Sequence, residues 1–295
     1  MSEISRHLGQ KSQYKKEYDP SLLVKELRQD NRTYLGLDGE DLPFHGYDTW
    51  NAYEVSALTN KGLPLSFVVK LWYPCTNEYI VESKSLKLYF NSFAMTKLGD
   101  DMVSVKERLI EYTQKDLSDL LECNVQVNAW SQMELIVPRF NTDNIVDWEN
   151  VHILDIYNVE CDSYSEDPSL LKVVDYFNEE TKTFFSSSLV SCCKVTGQPD
   201  SGDVFINIVG NKIPTSESLL QYIVSFRNEN HFHEEICEAI WKRLNDLCEP
   251  VELSVMCLYA RRGGIDINPL RTTKGACSET VLCMTNIPPI KMPRQ

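Results

Sequence analysis

Hydrophobic and polar positions divide this 295-residue chain into strand-like and helix-like stretches that occur twice in the same order. Leu63–Tyr73 (LPLSFVVKLWY), rich in β-branched and aromatic residues, predicts a strand. Tyr79-Ile80-Val81 predicts a second strand, and from Glu82 to Phe93 (ESKSLKLYFNSF) the pattern turns helical. Met102–Cys123 places Val105, Leu109, Ile110, Leu117, Leu120 and Leu121 near helical spacing and predicts an amphipathic helix. Strands follow at 125–130 and 134–137, and residues 140–180, rich in Asp, Glu and Asn, read as a linker or crossing segment. Strands are then predicted near 186–195 and 203–209, helices near 216–227 and 233–247, and final strands at 251–261 and after Pro269.

The repetition extends to the residues themselves. Tyr79–Phe93 aligns without a gap on Lys212–Phe226 with seven identities in fifteen, pairing Ser83 with Ser216, Ser85 with Ser218, Leu86 with Leu219, Tyr89 with Tyr222 and Ser92 with Ser225. Duplication accounts for matched serines better than shared amphipathicity does. The expected fold class is therefore α+β, with two tandem ββααββ modules, each an antiparallel sheet with helices on one face. The boundaries read as an arm over 1–50, a first module over 51–140, a linker over 141–182 and a second module over 183–295. A doubly wound nucleotide fold is not expected, because β and α do not alternate and neither a G-x-G-x-x-G turn nor a Walker loop is present.

Charge and cysteine usage narrow the function. A formal net charge of -14 argues against a nucleic-acid footprint. No apolar run reaches the ~18 residues of a membrane span, and the polar N-terminal stretch lacks the apolar core of a signal peptide. Ten cysteines without framework spacing fit reduced thiols in a cytoplasmic protein.

Four places carry candidate chemistry. Glu82 stands at a strand-to-helix junction with Ser83 as expected N-cap and Lys84 beside it, where backbone N–H groups can meet an anion and the carboxylate can accept from a ring N–H. A capped helix alone gives the same letters. Cys193 and Asp200 lie seven apart across a Gly-Gln-Pro turn, a thiol nucleophile and a carboxyl able to hand over a proton if an apolar pocket keeps it protonated. A buried Cys beside a turn-capping Asp fits the same spacing. His233 and Glu234 open a helix and could bond a purine-like edge, or simply suit its dipole. His231, His233 and Cys237, with Cys192 or Cys193, form a zinc alternative that matches no strong spacing. Arg261 and Arg262 with Gly263 and Gly264 follow a strand and suit phosphate.

Together, ESKSLKLYFNSF, the Cys-to-Asp spacing, FHE and RRGGIDINPLR resemble the NADPH-dependent 7-cyano-7-deazaguanine reductases of the long two-module type, over most of the chain. The resemblance implies tunnelling-fold modules assembling into a homo-oligomeric barrel, a homodimer being expected, and a step in queuosine biosynthesis. It implies that a nitrile-bearing deazapurine is reduced to an amine by two hydrides from NADPH, with no metal. Carried over by position, Cys193 forms a thioimide and Asp200 donates a proton. Val81, Glu82, Ser83, His233 and Glu234 hold the base, Phe232 covers it, and Ser83, Lys84, Arg262 and Gly263 line the cofactor phosphates. Ala57 and Ser201 depart from the family's aromatic residues, and the thiol at Cys192 is unusual. Strand alternation points Cys192 and Cys193 to opposite faces. Two other readings compete: a zinc-dependent cyclohydrolase-like enzyme, and a non-catalytic purine-binding module.

Overall fold

The computed structural model describes residues 17–37, 41–131 and 151–274. Strand β1 (Lys25–Leu27) and helix α1 (Gln29–Tyr34) precede a long hairpin, β2 (Phe44–Thr59) and β3 (Pro64–Pro74). Next come β4 (Tyr79–Val81), α2 (Ser83–Ser92), β5 (Lys97–Gly99), α3 (Met102–Leu121) and β6 (Gln126–Ser131). The second half holds β7 (Val151–Ile153), the hairpin β8 (Val173–Cys193) and β9 (Pro199–Pro214), α4 (Ser216–Ser225), β10 (Asn230–His231), α5 (His233–Cys248), β11 (Glu252–Tyr259) and β12 (Ile265–Thr273). The strand expected at 134–137 lies outside the described residues.

Both segments flanking the expected modules hold regular structure. The segment expected as an arm contains β1, α1 and the start of β2. Its polar look is deceptive, because Asp48 and Thr49 are themselves buried within β2. The segment expected as a linker contains β7 and the first part of β8, whose outer positions, Phe177 above all, face solvent.

Instead of one sheet per half there is a single ten-stranded sheet in the order β10-β8-β9-β11-β12-β2-β3-β6, with β5 on β2 and β7 on β8. The halves join where β12 pairs antiparallel with β2, Ile265 opposite Ala52 through Thr273 opposite Phe44. At this seam Gly46 is obligatory, since a Cβ there would stand 1.9 Å from the Leu270 carbonyl oxygen. The short strands β5, β7 and β10 pair parallel, so the sheet is mixed rather than purely antiparallel.

Alternation along β11 separates the faces. Leu253, Val255, Cys257 and Tyr259 enter the core shared with α4 and α5, while Met256 joins a smaller cluster with Phe205 and Leu270. A second core gathers α2 and α3 over β2 and β3 and takes in Ala57, fully buried, so that departure is absorbed by packing. Cores cross the seam: Phe44 of β2 packs edge-on against Trp241 of α5, ring centres 5.1 Å apart.

Two of the matched serine pairs, Ser85 with Ser218 and Ser92 with Ser225, have one physical cause in both halves. Each half carries an Asp-Pro-Ser-Leu turn, Asp19–Leu22 and Asp167–Leu170, docked on the following helix. Ser85 Oγ accepts from the Val24 N–H and Ser218 Oγ from the Lys172 N–H, both at 3.0 Å. Ser92 and Ser225 accept from the Asp19 and Asp167 N–H groups while donating to the Tyr89 and Tyr222 carbonyls. Buried backbone N–H groups need partners, and these hydroxyls supply them.

Candidate active site

Five chain segments converge on one cavity of about 310 Å³. The β4–α2 junction brings Val81, Glu82, Ser83 and Lys84; the end of β8 brings Cys193; the start of β9 brings Asp200. The start of α5 brings Phe232, His233 and Glu234, and the β11–β12 turn brings Arg262 and Gly263. The residues that the resemblance assigns to chemistry, base and cofactor all line this one space, although Glu82 and Cys193 belong to opposite halves of the chain.

Glu82, not Ser83, is the N-cap of α2, and Ser83 is its first helical residue. The Glu82 carboxylate accepts from the Lys84 N–H at 2.8 Å and the Ser85 N–H at 2.6 Å. The helix N-terminus expected to meet a ligand anion thus already holds a protein carboxylate. In the equivalent position of the second half Thr215 caps α4. Duplicated helices therefore carry different caps, and the one with a carboxylate faces the cavity.

Cys193 is the last residue of β8, fixed by its N–H to the Gln198 carbonyl at 2.8 Å and by the Gly197 N–H to its own carbonyl at 2.9 Å. Cys192 turns away, its Sγ 3.3 Å from the Arg227 carbonyl oxygen. Asp200 does not sit in the apolar setting considered from sequence. Its Oδ1 is 2.9 Å from Arg262 and its Oδ2 is 3.4 Å from His233 Nε2. The His233 ring lies flat on Tyr259, centres 3.7 Å apart and planes 8° apart, which fixes its orientation.

Glu234 is buried, and its Oε1 has no hydrogen-bond partner among the described residues. Burial, reinforced by the nearby Asp48 carboxylate, pushes the Glu234 carboxyl up to about 8. Beneath it lies a sealed ionic cluster. Arg271 bonds Asp48 Oδ1 at 2.8 Å and Glu238 Oε1 at 3.0 Å, Arg28 pairs with Asp48, and Arg32 reaches Glu238 Oε1 at 2.8 Å.

Arg262 and Arg261 part company. Arg262 faces the cavity, whereas Arg261 stacks over the Tyr53 ring at 3.4 Å. Gly263 and Gly264 both have positive φ and close a two-residue turn between Arg262 and Ile265. A Cβ on Gly263 would come within 2.6 Å of Lys87 Nζ. Lys87 also lines the cavity and was missed from sequence, though its place three residues after Lys84 puts both on one helical face. Neither lysine forms an ion pair with another described residue. Two ammonium groups, a guanidinium and a close-approach glycine suit the phosphates of a dinucleotide.

The zinc set is not gathered. Cys237 is buried, its Sγ 3.4 Å from the Val255 carbonyl and 3.6 Å from that of Pro269, and no group of three metal-ligating side chains is arranged for an ion among the described residues.

Residues 14–129 match the family described as nitrile reductase, 7-cyano-7-deazaguanine-reductase N-term, and residues 199–277 match the QueF-like protein family. A protein of Cupriavidus metallidurans named NADPH-dependent 7-cyano-7-deazaguanine reductase is 43% identical over 90% of this chain and 92% of its own length. Proteins of the same name from Acidovorax ebreus, 43% identical over 90% of this chain and 92% of their own, and from Legionella pneumophila, 39% identical over 90% and 89%, are similar to it as well.

Proposed function

Because this chain belongs to the 7-cyano-7-deazaguanine reductase family, we propose that the five-segment cavity is where it reduces the nitrile of that base to a primary amine. The enzyme is an NADPH-dependent nitrile reductase. The observation that carries the site assignment is the meeting of a strand-end thiol, a paired carboxylate, two base-facing carboxylates and a cationic rim in one space.

Cys193 Sγ adds to the nitrile carbon, forming the C–S bond and opening one C–N π bond. The thiol proton goes to the nitrile nitrogen through Asp200, so the thioimide forms without an outside acid. Arg262 and His233 hold Asp200 at the thiol's end of the cavity for that relay. Glu82 and Glu234 present carboxyl oxygens to the donor edge of the base, and stacked His233 fixes its plane. Lys84, Lys87, Arg262 and the Gly263 backbone would hold the phosphates of NADPH, two molecules of which would bind in turn and supply one hydride each. Once the thioimide carbon is reduced, the C–S bond breaks and Cys193 leaves as thiolate; at the amine stage Asp200, reprotonated from solvent, gives a proton to the nitrogen, and a second solvent proton restores the Cys193 thiol.

Tandem tunnelling-fold modules assembling as a homodimeric barrel are part of this reading, supported by the matched helices and serines of the two halves. So is a place in queuosine biosynthesis. The described cysteines are all free thiols, which supports a cytoplasmic setting, and no described helix is long and apolar enough to cross a membrane. The test is stoichiometry: purified enzyme should oxidise two NADPH per nitrile consumed. Base binding without NADPH oxidation would favour the binding-module reading.

Glu234→Gln separates recognition from stability. The wild-type carboxyl, raised to about 8 from an ordinary value of 4.5, stays protonated in the folded chain while the unfolded chain ionises. Folding stability therefore falls as pH rises through this window. Glutamine mimics the protonated group, so the variant's gain in melting temperature should be absent near pH 4.5 and grow toward pH 8. Its KM for the base should rise by roughly 10- to 100-fold, the consequence of a mismatched buried hydrogen bond. A constant melting-temperature difference across that range would refute the assignment.

A further inference from the structure

Lys194 directly follows the cysteine and, like His231, lines the cavity without a part in the chemistry above. Its ammonium crosses the cavity mouth to α5, where it stands 2.8 Å from Glu235 Oε1 and 5.0 Å from the centre of the Phe232 ring. The other oxygen of Glu235 lies 3.1 Å from His231 Nδ1 and accepts the Phe232 N–H at 3.0 Å. This carboxylate is only 4% exposed. Burial alone would raise its pKa, yet the hydrogen bonds and charge supplied by His231 and Lys194 hold it below its ordinary value. His231 itself pairs in register with Cys193 through β10.

The cavity wall bearing Cys193 and the wall bearing His233 and Glu234 are also joined by that two-residue strand, by the Cys192 N–H to the Glu229 carbonyl, by Cys192 Sγ at the Arg227 carbonyl and by His233 at Asp200. The turn after Cys193 is closed on itself by the Cys193 N–H to Gln198 and the Gly197 N–H to Cys193, and Lys194 is the residue of that turn with an ion pair to α5. We propose that Glu235 is a positioning residue for the reduction: through Lys194 it clamps the nucleophile's turn to the helix that recognises the base, and through its Phe232 N–H bond it sets the cover residue in the same stroke. The inference rests on the assignment of Cys193 as nucleophile. Since a misplacement of about 1 Å can cost roughly 100-fold in rate, a clamp at this joint acts on kcat.

The plainer role for Glu235 is to cap α5, and Lys194 discriminates between the two, because altering it leaves the cap untouched. The experiment measures kcat, both KM values, the rate of covalent adduct formation by intact-protein mass, and thermal midpoint. It compares wild type with Lys194→Met, Lys194→Arg, Glu235→Gln and the Lys194→Met/Glu235→Gln double variant. Lys194→Met should slow adduct formation and kcat by roughly 10-fold or more with KM for NADPH unchanged. Lys194→Arg should recover most of the rate, and the double variant should be no slower than the slower single variant. Wild-type rates in Lys194→Met overturn the proposal, as does a Lys194→Arg variant as slow as Lys194→Met. A loss confined to KM for NADPH also overturns it, marking Lys194 as a cofactor contact. Turnover without adduct in the wild type overturns the covalent reading instead, and the clamp then stands or falls on kcat.

Discussion

Cys193→Ala should abolish the covalent adduct with 7-cyano-7-deazaguanine and lower kcat by at least about 10⁴-fold, the scale on which removal of a nucleophile is felt when the rest of the site is intact. A nitrile carbon is a poor hydride acceptor; only after sulfur has added does it present a C=N carbon that a hydride can reach. Alanine leaves the cavity, the base-facing carboxylates and the cationic rim in place, so base binding should persist with turnover gone. Cys192→Ala is the control. Its Sγ faces the Arg227 carbonyl rather than the cavity, and that variant should keep both the adduct and the rate. Intact-protein mass after mixing with the base alone reads the first claim, and NADPH absorbance the second. An adduct surviving in Cys193→Ala, or lost in Cys192→Ala, would reverse the assignment of the two thiols.

Much of this site was legible in the sequence, for particular reasons. A strand end followed by Gly-Gln-Pro-Asp fixes where a thiol and a carboxylate emerge, and Arg-Arg-Gly-Gly announces a tight turn because both glycines take positive φ. Matched serines disclosed the duplication because Ser85 and Ser218, like Ser92 and Ser225, satisfy the same backbone groups in both halves. The continuous ten-stranded sheet was not legible, since pairing of β12 with β2 joins strands more than two hundred residues apart and leaves no local signal. The cap at Glu82 was misjudged by one residue, because Ser is the commoner cap and the carboxylate's reach to two N–H groups is a matter of geometry. Nor could Asp48, buried within what reads as a polar arm, be distinguished from a surface aspartate by pattern alone.

Asp48→Ala should cost about 3–5 kcal/mol of stability, the penalty of breaking a buried ion pair from one side. Asp48 is fully buried, and its two oxygens face Arg271 and Arg28, which are themselves buried. Those cations, with Arg32, come from α1 and its flank and from β12, while Glu238 comes from α5. The cluster thus ties the N-terminal segment and the seam of the sheet to the helix that begins with the base-facing residues. Removing the aspartate leaves Glu238 as the remaining carboxylate for three guanidinium groups, a charge the interior cannot disperse. It also takes away a repulsion that raises the Glu234 carboxyl, so that group should ionise at lower pH in the variant. Two independent readouts follow. The urea midpoint should fall at unchanged slope, and the pH at which base affinity changes should move downward. An unfolding free energy within about 1 kcal/mol of wild type would show that the arginines find other partners, and an unmoved affinity profile would separate Glu234 from the cluster beneath it.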